Sequence, residues 1–293
     1  MRQLFANGWD LADNLLGTFA QLGYYLDPGT RILDFGCGAG GLTYRLRDLG
    51  FDAYGFDIHE RVDYRDPQDR RFFGFIDNPT ADTSNAIVSR ERFRLPFEAD
   101  MFDVVISTSV IEHVMDLPPV MSEIARVLKP SGFSFHVYPK KSIVIEPHIF
   151  VPFGSRWQSW RYFHFWGRLG VRNQYQEAMS PREVADNNLL YSRTGLKYLS
   201  QRELFEICAE HFDEVRFVDQ AYYYYAHPLG PLVDRLRALR SASPLRAMAE
   251  TQRLGALLTA KKVAPGATAR ERPRWRGQHW RTFKRRARNL LRG

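Results

Sequence analysis

The chain has 293 residues, of which 44% are hydrophobic, a composition that allows one large globular domain with insertions or two small ones. Its two cysteines exclude a disulfide-stabilised scaffold and a cysteine-rich metal site, and no run of about 18 apolar residues is present to span a bilayer. The 41 Lys and Arg against 33 Asp and Glu leave a net charge of +8, but the excess lies in residues 261–293, so the body of the chain is not a general polyanion binder.

The first elements alternate between helix and strand. Apolar residues recur at helical spacing over 11–24, and an Asp-Pro-Gly turn follows. The apolar run 31–35 predicts a buried strand. After a glycine turn, residues 42–49 predict a short helix and 51–57 a second strand.

The same alternation returns after residue 100. Residues 102–107 predict a strand, 117–128 an amphipathic helix, and the alternating residues 133–138 another strand. Strands that alternate with helices predict an α/β fold, doubly wound, in which helices cover both faces of a mostly parallel sheet.

The pattern changes after Pro139. Residues 141–198 lack clean periodicity and carry eight aromatic rings between Phe150 and Trp166, with arginines among them. We predict that this segment is an inserted lid over the substrate, because aromatic faces stack on sugar or quinone rings and Arg binds phosphates or carboxylates. The alternative is that these rings form the lid's own core.

Regular structure is predicted to return after the lid. The predicted elements are a helix from Ser200, a strand at 214–219, helices within 229–253 and a last strand at 256–262.

The stretch 32–41, ILDFGCGAGG, places four glycines and an acid directly after the first strand. Ligands of parallel sheets bind at the carboxyl ends of strands, where a glycine turn lets the backbone approach them, so this turn marks a cofactor site. The glycines also satisfy G-x-G-x-x-G, which leaves a nicotinamide oxidoreductase open. Asp34 favours another cofactor, because a carboxylate here repels a pyrophosphate and attracts a cation.

The sequence Asp34-Phe35-Gly36-Cys37-Gly38-Ala39-Gly40 resembles the first motif of the class I S-adenosylmethionine-dependent methyltransferases, an acid followed by G-x-G-x-G. Later segments are similar to a series found in small-molecule members of that family: LPF at 95–97, FDVVIS at 102–107, IEHV at 111–114 and RVLKPSG at 126–132. The resemblance implies a Rossmann-like fold with a mostly parallel seven-stranded sheet and an inserted lid, and S-adenosyl-L-methionine as the cofactor.

The resemblance assigns cofactor-binding roles to six residues: Asp34, Gly36, Gly38, Gly40, Asp57 and Glu91. The glycines would let the loop pass beneath the methionine part of the cofactor, and Asp34 would help to orient its ammonium group. Asp57 would hold both ribose hydroxyls, since a carboxylate accepts two hydrogen bonds from a diol. Glu91 would contact the adenine amino group.

Methyl transfer to a hydroxyl needs a base, and three residues are candidates for that chemistry. His113 follows the fourth strand, and an imidazole with a pKa of about 6.5 suits proton removal. Glu112 could orient it, and His148 in the lid is a second base candidate; alternatively, Glu112 and His113 only brace the adjacent helix. In quinone-type and some RNA methyltransferases an E-x-x-E-H series at this turn binds a divalent metal. Ser109 replaces the first Glu here, so we expect no metal.

The C-terminal segment is basic, and its Trp280, Phe283 and Leu290 recur at helical spacing. This pattern predicts an interfacial helix on an anionic membrane, which we favour over nucleic-acid binding and over a solvated disordered tail. Near the N-terminus, Asp10 and Asp13 interrupt the apolar region that an export signal needs, so we expect a cytoplasmic protein, with this tail as a peripheral contact to the membrane.

We therefore predict a methyltransferase domain over 1–140 and 199–263, a lid over 141–198 and a basic tail over 264–293. The predicted function is O-methylation of a glycan or lipid-linked sugar intermediate. The alternatives are a quinone or other aromatic small-molecule O- or C-methyltransferase, an RNA methyltransferase, and a non-catalytic module that keeps the cofactor pocket.

Overall fold

The computed structural model describes residues 8–76, 93–219, 221–222 and 254–261, which form a sheet covered by helices. The strands are β1 (Arg31–Phe35), β2 (Asp52–Asp57), β3 (Phe73–Phe75), β4 (Phe102–Thr108), β5 (Leu128–Pro139), β6 (Glu214–Phe217) and β7 (Leu254–Ala260). The helices are α1 (Gly8–Gln21), α2 (Gly41–Asp48), α3 (Leu117–Val127), α4 (Trp160–Arg168), α5 (Pro181–Thr194) and α6 (Gln201–Ala209). None of the described helices is long and apolar enough to cross a membrane.

The seven strands form one sheet in the order β3-β2-β1-β4-β5-β7-β6. Neighbours from β3 to β5 are parallel, and β7 runs antiparallel to both β5 and β6. The predicted doubly wound, mostly parallel sheet is confirmed. Its strand order reverses between β1 and β4, the point at which such sheets leave a crevice beyond the strand ends.

Alternation along the strands divides the core between the two faces of the sheet. Ile32 belongs to the cluster that contains Leu15 and Phe19 of α1, whereas its neighbour Leu33 belongs to the cluster that contains Ile124 of α3. Successive side chains of a strand point to opposite faces, so an apolar strand such as β1 can bury against helices on both sides.

Three features of the sheet were not predicted. The strand β3 has three residues around a glycine, too few to give an alternating pattern. Strand β5 begins at Leu128, directly after α3 and five residues before its predicted start, and its pairing with β4 shifts register between Phe102 and Val104. Strand β7 begins at Leu254, two residues before its predicted start.

The segment between β5 and α6 is more regular than its sequence suggests, because it contains α4 and α5. Ser180 and Glu183 form a reciprocal capping box at the start of α5, with Pro181 at the first helical position. The capping box can be recognised in the sequence as Ser-Pro-x-Glu at 180–183. The two helices pack around Phe163 and Ala185, together with Ile149 and Val151 of the preceding loop. Many of the lid's rings therefore form its own core.

Several predictions fall on residues outside the described ranges. They are the adenine contact of Glu91, the helices within 229–253 and the basic tail over 264–293.

Candidate active site

The glycine turn after β1 is held against the end of β2. The backbone N–H groups of Gly36 and Cys37 both donate to the carbonyl of Phe56, at 2.7 and 2.9 Å. Gly36 has a φ of 82°, and a Cβ added there would lie 2.3 Å from a methyl carbon of Val110. A glycine is thus required at position 36 for two reasons: the backbone there is left-handed, and the loop after β4 approaches it closely.

Gly38 occupies the middle of the turn and is open. Its φ is 53°, and a Cβ there would meet no atom within 4 Å. Its N–H donates to Oδ2 of Asp57 at 2.8 Å, while Oδ1 of the same carboxylate accepts from the N–H of His59 at 3.2 Å. Gly40, the third glycine of the motif, lies at the N-cap of α2. The turn therefore leaves bare backbone beside a carboxylate.

A cavity of about 200 Å³ opens beyond the ends of β1, β2 and β4. Its lining combines the glycine turn, the end of β2 and the loop after β4: Phe35, Gly36, Phe56, Asp57, Ile58, His59, Arg61, Ser109, Val110 and His113. The carboxylate predicted to hold a ribose and the histidine predicted to act as a base thus share one cavity. A carboxylate beside an open glycine turn suits a ligand that offers a diol and a long, flexible arm.

Asp34 is placed differently from the other predicted cofactor residues. It is buried and does not line the cavity; its Oδ2 accepts a hydrogen bond from Oγ1 of Thr43 on α2 at 2.9 Å. Burial raises the pKa of Asp34 to about 7, helped by the negative charge of Asp57 and opposed by the Thr43 hydrogen bond. Its direct contact is with the first turn of α2, so its predicted role toward the ammonium group stays a prediction.

His113 lies at the end of the short turn after β4, with its imidazole orientation set by the lid. Its Nδ1 lies 2.7 Å from the carbonyl oxygen of Gly195; a carbonyl only accepts, so Nδ1 carries the hydrogen and Nε2 keeps a lone pair. Burial, together with the neighbouring His148, lowers the pKa of His113 to about 4. His113 is therefore neutral at physiological pH.

His148, which is half-buried, forms a pair with the buried Glu146. Its Nδ1 lies 2.6 Å from Oε1 of Glu146, whose other oxygen accepts the backbone N–H groups of His148 and Ile149 at 2.8 and 2.7 Å. The hydroxyl of Tyr198 also donates to Oε1. Burial lowers the pKa of His148, but the hydrogen bond and charge of Glu146, with the charge of Glu112, outweigh it and raise the pKa above its ordinary value.

The two imidazoles meet edge to face, with ring centroids 4.9 Å apart. The ring of Tyr191 on α5 lies beside both, at 6.5 Å from His113 and 6.0 Å from His148. We call Glu112, His113, Glu146 and His148 the histidine cluster. A carboxylate that holds Nδ1 of a histidine leaves Nε2 to accept a proton, which is the arrangement of a general base and its orienting group.

Glu112 does not orient His113 by a hydrogen bond. Its Oε1 lies 4.0 Å from Nε2 of His113, and neither carboxylate oxygen has a hydrogen-bond partner among the described residues. Burial raises the pKa of Glu112 to about 7. The group that orients His113 is instead the carbonyl of Gly195, which no sequence pattern indicated.

Glu112, His113 and His148 also form the one group in the described ranges with the composition of a metal site, with ligand atoms within 4.8 Å of one another. Ser109, where the related series has its first Glu, supplies no carboxylate. The buried charge of Glu112 can be balanced by a proton, since the pKa values of Glu112 and His148 are both raised. The expectation that no metal is used stays a prediction.

The sheet order, the glycine turn and the carboxylate at the end of β2 define a Rossmann-like enzyme that binds a nucleoside cofactor at the ends of its parallel strands. The histidine cluster beside that cavity adds the means to deprotonate an acceptor. The chain belongs to the methyltransferase domain family, whose profile matches residues 10–208.

Comparison with curated proteins gives relatives of two reaction types. The chain is 32% identical over 114 residues to sterol 24-C-methyltransferase erg6 of Schizosaccharomyces pombe, a match that covers 39% of this chain and 28% of that protein. It is 35% identical over 130 residues to the human mitochondrial ubiquinone biosynthesis O-methyltransferase, covering 43% of this chain and 33% of that protein. The matches thus span a third or less of the length of these relatives.

Solved structures are similar at lower identity. Phosphoethanolamine N-methyltransferase 2 of Haemonchus contortus, in complex with S-adenosyl-L-methionine, is 16% identical with a TM-score of 0.44, covering 85% of this chain and 52% of that one. The YcgJ protein of Bacillus subtilis is 16% identical with a TM-score of 0.44, covering 84% of this chain and 99% of that one.

The cofactor of this chain is S-adenosyl-L-methionine, and the cavity fits it. Asp57 lies in the cavity lining, where a carboxylate suits a ribose diol, and a Cβ at Gly38 would meet no atom within 4 Å. His113, a member of the histidine cluster, also lines the cavity. The chain thus contains a methyltransferase domain whose cavity suits this cofactor.

Proposed function

We propose that this enzyme methylates a hydroxyl oxygen of a glycan or lipid-linked sugar intermediate, with His148 as the general base. The observation that carries the proposal is the Glu146–His148 pair in contact with His113, a residue that lines the cofactor cavity. Methylation of a hydroxyl oxygen requires a base that removes the hydroxyl proton. Within the described ranges, we assign no other charged group of the site to a different reaction.

The cofactor, when bound, supplies a methyl group on a positively charged sulfur. The chain's own residues would then prepare the acceptor. Neutral His148 accepts the hydroxyl proton at Nε2, and Glu146 stabilises the imidazolium that forms through its hydrogen bond to Nδ1. Tyr198 and two backbone N–H groups hold Glu146 in place.

His113 has a different proposed role from His148. With a pKa lowered to about 4, it is too weak a base to take the proton at neutral pH, but its Nε2 can accept a hydrogen bond and so position the acceptor hydroxyl. This assignment reverses the order of the two histidines that the sequence favoured. The carboxylate of Glu112 lies 4.0 Å from Nε2 of His113, and its negative charge contributes to the raised pKa of His148.

The position of Tyr191 favours an acceptor that contains a ring. Its ring lies within 6.5 Å of both imidazole centroids and forms a wall of the histidine cluster. Aromatic faces pack against the apolar faces of sugar rings, and they stack equally well on quinones. Arg156, an exposed arginine of the lid, would suit the phosphate of a lipid-linked sugar.

A quinone or other aromatic small molecule is the second candidate acceptor. It is favoured by the relatives, which are named for an O-methylation in ubiquinone biosynthesis and for a sterol 24-C-methylation. An RNA acceptor is less favoured because the strongly basic segment that would bind RNA is confined to the tail. We propose that this tail binds an anionic membrane surface and that the enzyme acts in the cytoplasm.

The test is transfer of labelled methyl from S-adenosylmethionine to a cell extract divided into lipids, soluble glycans, quinones and nucleic acids. We expect label in the lipid-linked sugar or glycan fraction, lost with His148→Ala and kept with His164→Ala, a lid histidine that stacks on Trp160 outside the cluster. Label in the quinone fraction would support the second candidate, and label in RNA would refute both. No transfer to any fraction would indicate a non-catalytic module.

A further inference from the structure

The outer face of α4 carries exposed aromatic and basic side chains together. Phe165 is 55% exposed, Trp157 just before the helix is 57% exposed, and Leu169 just after it is 61% exposed. Arg161 and Arg168 are exposed on the same helix. Positions 161, 165 and 168 recur at three- and four-residue steps and so share one face of the helix.

The inner face of α4 is committed to the lid's own core. Phe163 and Gly167 are buried there, and Phe163 packs with Ala185 of α5. The exposed rings are therefore not part of that core. Three large exposed apolar side chains on or next to one short helix indicate a binding surface more than isolated exposed residues do.

The charge of this surface is of one sign. No Asp or Glu occurs from residue 147 to residue 176, a stretch that holds four arginines. Arg172 is engaged with backbone carbonyls of Met179 and Gly167, but Arg156, Arg161 and Arg168 form no ion pair within the described ranges. The partner must therefore supply anions as well as apolar contact.

We propose that the outer face of α4, made by Trp157, Arg161, Phe165, Arg168 and Leu169, docks the lid on an anionic lipid bilayer. Aromatic rings bind at the headgroup level while arginines reach lipid phosphates, so a bilayer satisfies both halves of this surface. A second copy of the chain does not, because a two-fold interface through this face would place arginines against arginines with no acid between them.

This contact is separate from the basic tail and goes beyond the proposed function, since it does not depend on which acceptor is methylated. The loop that carries His148 packs beneath α4 through Ile149 and Val151. Docking α4 would therefore bring the histidine cluster close to the membrane surface, where a lipid-borne acceptor is presented.

The first test is a local probe on the full chain. Both native cysteines, Cys37 and Cys208, are buried, so an environment-sensitive dye can be attached at Phe165→Cys alone. We expect a blue shift of its emission on vesicles of phosphatidylglycerol and phosphatidylcholine, and none on phosphatidylcholine alone. The matched control is Phe205→Cys on α6, where the native ring is 48% exposed but lies outside the lid.

Other outcomes of the probe experiment would overturn the proposal. A dye at position 165 that stays unshifted while the protein sediments with vesicles would assign binding to another segment, such as the tail. An equal shift at position 205 would show no preferred face. A shift that appears without vesicles, on raising protein concentration or on adding RNA, would replace the bilayer with a second copy or a nucleic acid.

The second test removes charge from the surface. The double variant Arg161→Gln/Arg168→Gln should weaken sedimentation with anionic vesicles on the order of thirtyfold, from the usual contribution of an arginine near an anionic surface. The matched control Arg71→Gln/Arg202→Gln removes the same charge from exposed sites outside the lid and should weaken binding by less than about threefold. Equal losses in the two variants would mean that net charge alone drives binding.

Discussion

The cofactor cavity and the histidine cluster are adjacent, but they are built in different ways. The cavity's defining residues, from Gly36 to Asp57, lie within one β-α-β unit. The histidine cluster joins residues from three places in the chain: the loop after β4, the loop after β5, and the end of α5 with Gly195 and Tyr198.

The two regions obtain their chemical properties in different ways. The cavity binds through backbone and one carboxylate, whose geometry follows from local turns. The cluster depends on burial and mutual charge, which shift the pKa of His113 down to about 4 and that of His148 upward. When the pKa values of two neighbouring imidazoles differ in this way, the one with the lowered pKa can accept a hydrogen bond and the one with the raised pKa can act as the base.

The largest effect is expected from His148→Ala. Loss of a general base lowers kcat by about a thousandfold, while the affinity for cofactor stays unchanged because His148 does not line the cavity. Steady-state kinetics and calorimetry with S-adenosylhomocysteine measure the two quantities. His164→Ala is the control. If kcat of His148→Ala lies within about threefold of that of the unmodified enzyme, the general base is not a residue of the lid.

Asp57→Ala tests the other region. The loss of two charge-assisted hydrogen bonds to a diol should weaken cofactor binding by about a hundredfold, with a smaller change of kcat at saturating cofactor. Calorimetry measures the affinity, and thermal unfolding checks that the turn at Gly38, which Asp57 also holds, remains folded. The control Asp63→Asn removes an exposed charge outside the cavity. Unchanged affinity in Asp57→Ala would contradict the ribose assignment.

The pH dependence of kcat should report the Glu146–His148 pair. The base must be unprotonated, so kcat should fall tenfold per pH unit below the raised pKa of His148, which lies above about 6.5. Glu146→Gln removes the main charge that raises this pKa and should move the midpoint to lower pH, with a lower plateau. The groups around the ring are Glu146, Glu112, His113, Tyr191 and Tyr198. A midpoint that does not move in Glu146→Gln would exclude His148 as the titrating base.

Glu112→Gln should stabilise the fold in a pH-dependent way. The pKa of Glu112 is about 7 when folded and about 4.5 when unfolded, so its ionisation in the folded protein lowers stability as pH rises from about 4.5 to 7. The Gln variant removes this cost, with an expected gain of roughly 1–3 kcal/mol at pH 8 and almost none at pH 4. Urea unfolding at the two pH values measures it, and an equal gain at both would point to a packing effect.

Removal of divalent metals is expected to have no effect. Ser109 replaces a carboxylate of the related metal-binding series, and protons on Glu112 or His148 balance the buried charge of the cluster. The measurements are kcat after exhaustive chelation and the metal content of the purified chain. Stoichiometric zinc or magnesium that returns activity on re-addition would show that the cluster is a metal site.

Much of the cofactor region could be read from the sequence because its signals are local. The apolar runs before the glycines and before Asp57 predicted β1 and β2, and the resemblance of the glycine motif supplied the cofactor. The strand β3 was missed because three residues carry no periodicity. The helices α4 and α5 were missed because aromatic residues dominate the lid and obscure the capping box at Ser180.

The sequence alone determined the fold class, the cofactor and the candidacy of His113 and His148, because turn chemistry, hydrophobic period and motif spacing are properties of neighbouring residues. The tertiary structure supplied the surroundings on which the proposed choice between the two histidines rests. It brought Glu146 to His148 and the carbonyl of Gly195 to His113, and it left both rings half-buried. A pKa depends on solvent exclusion and on charges from distant segments, which no local pattern encodes.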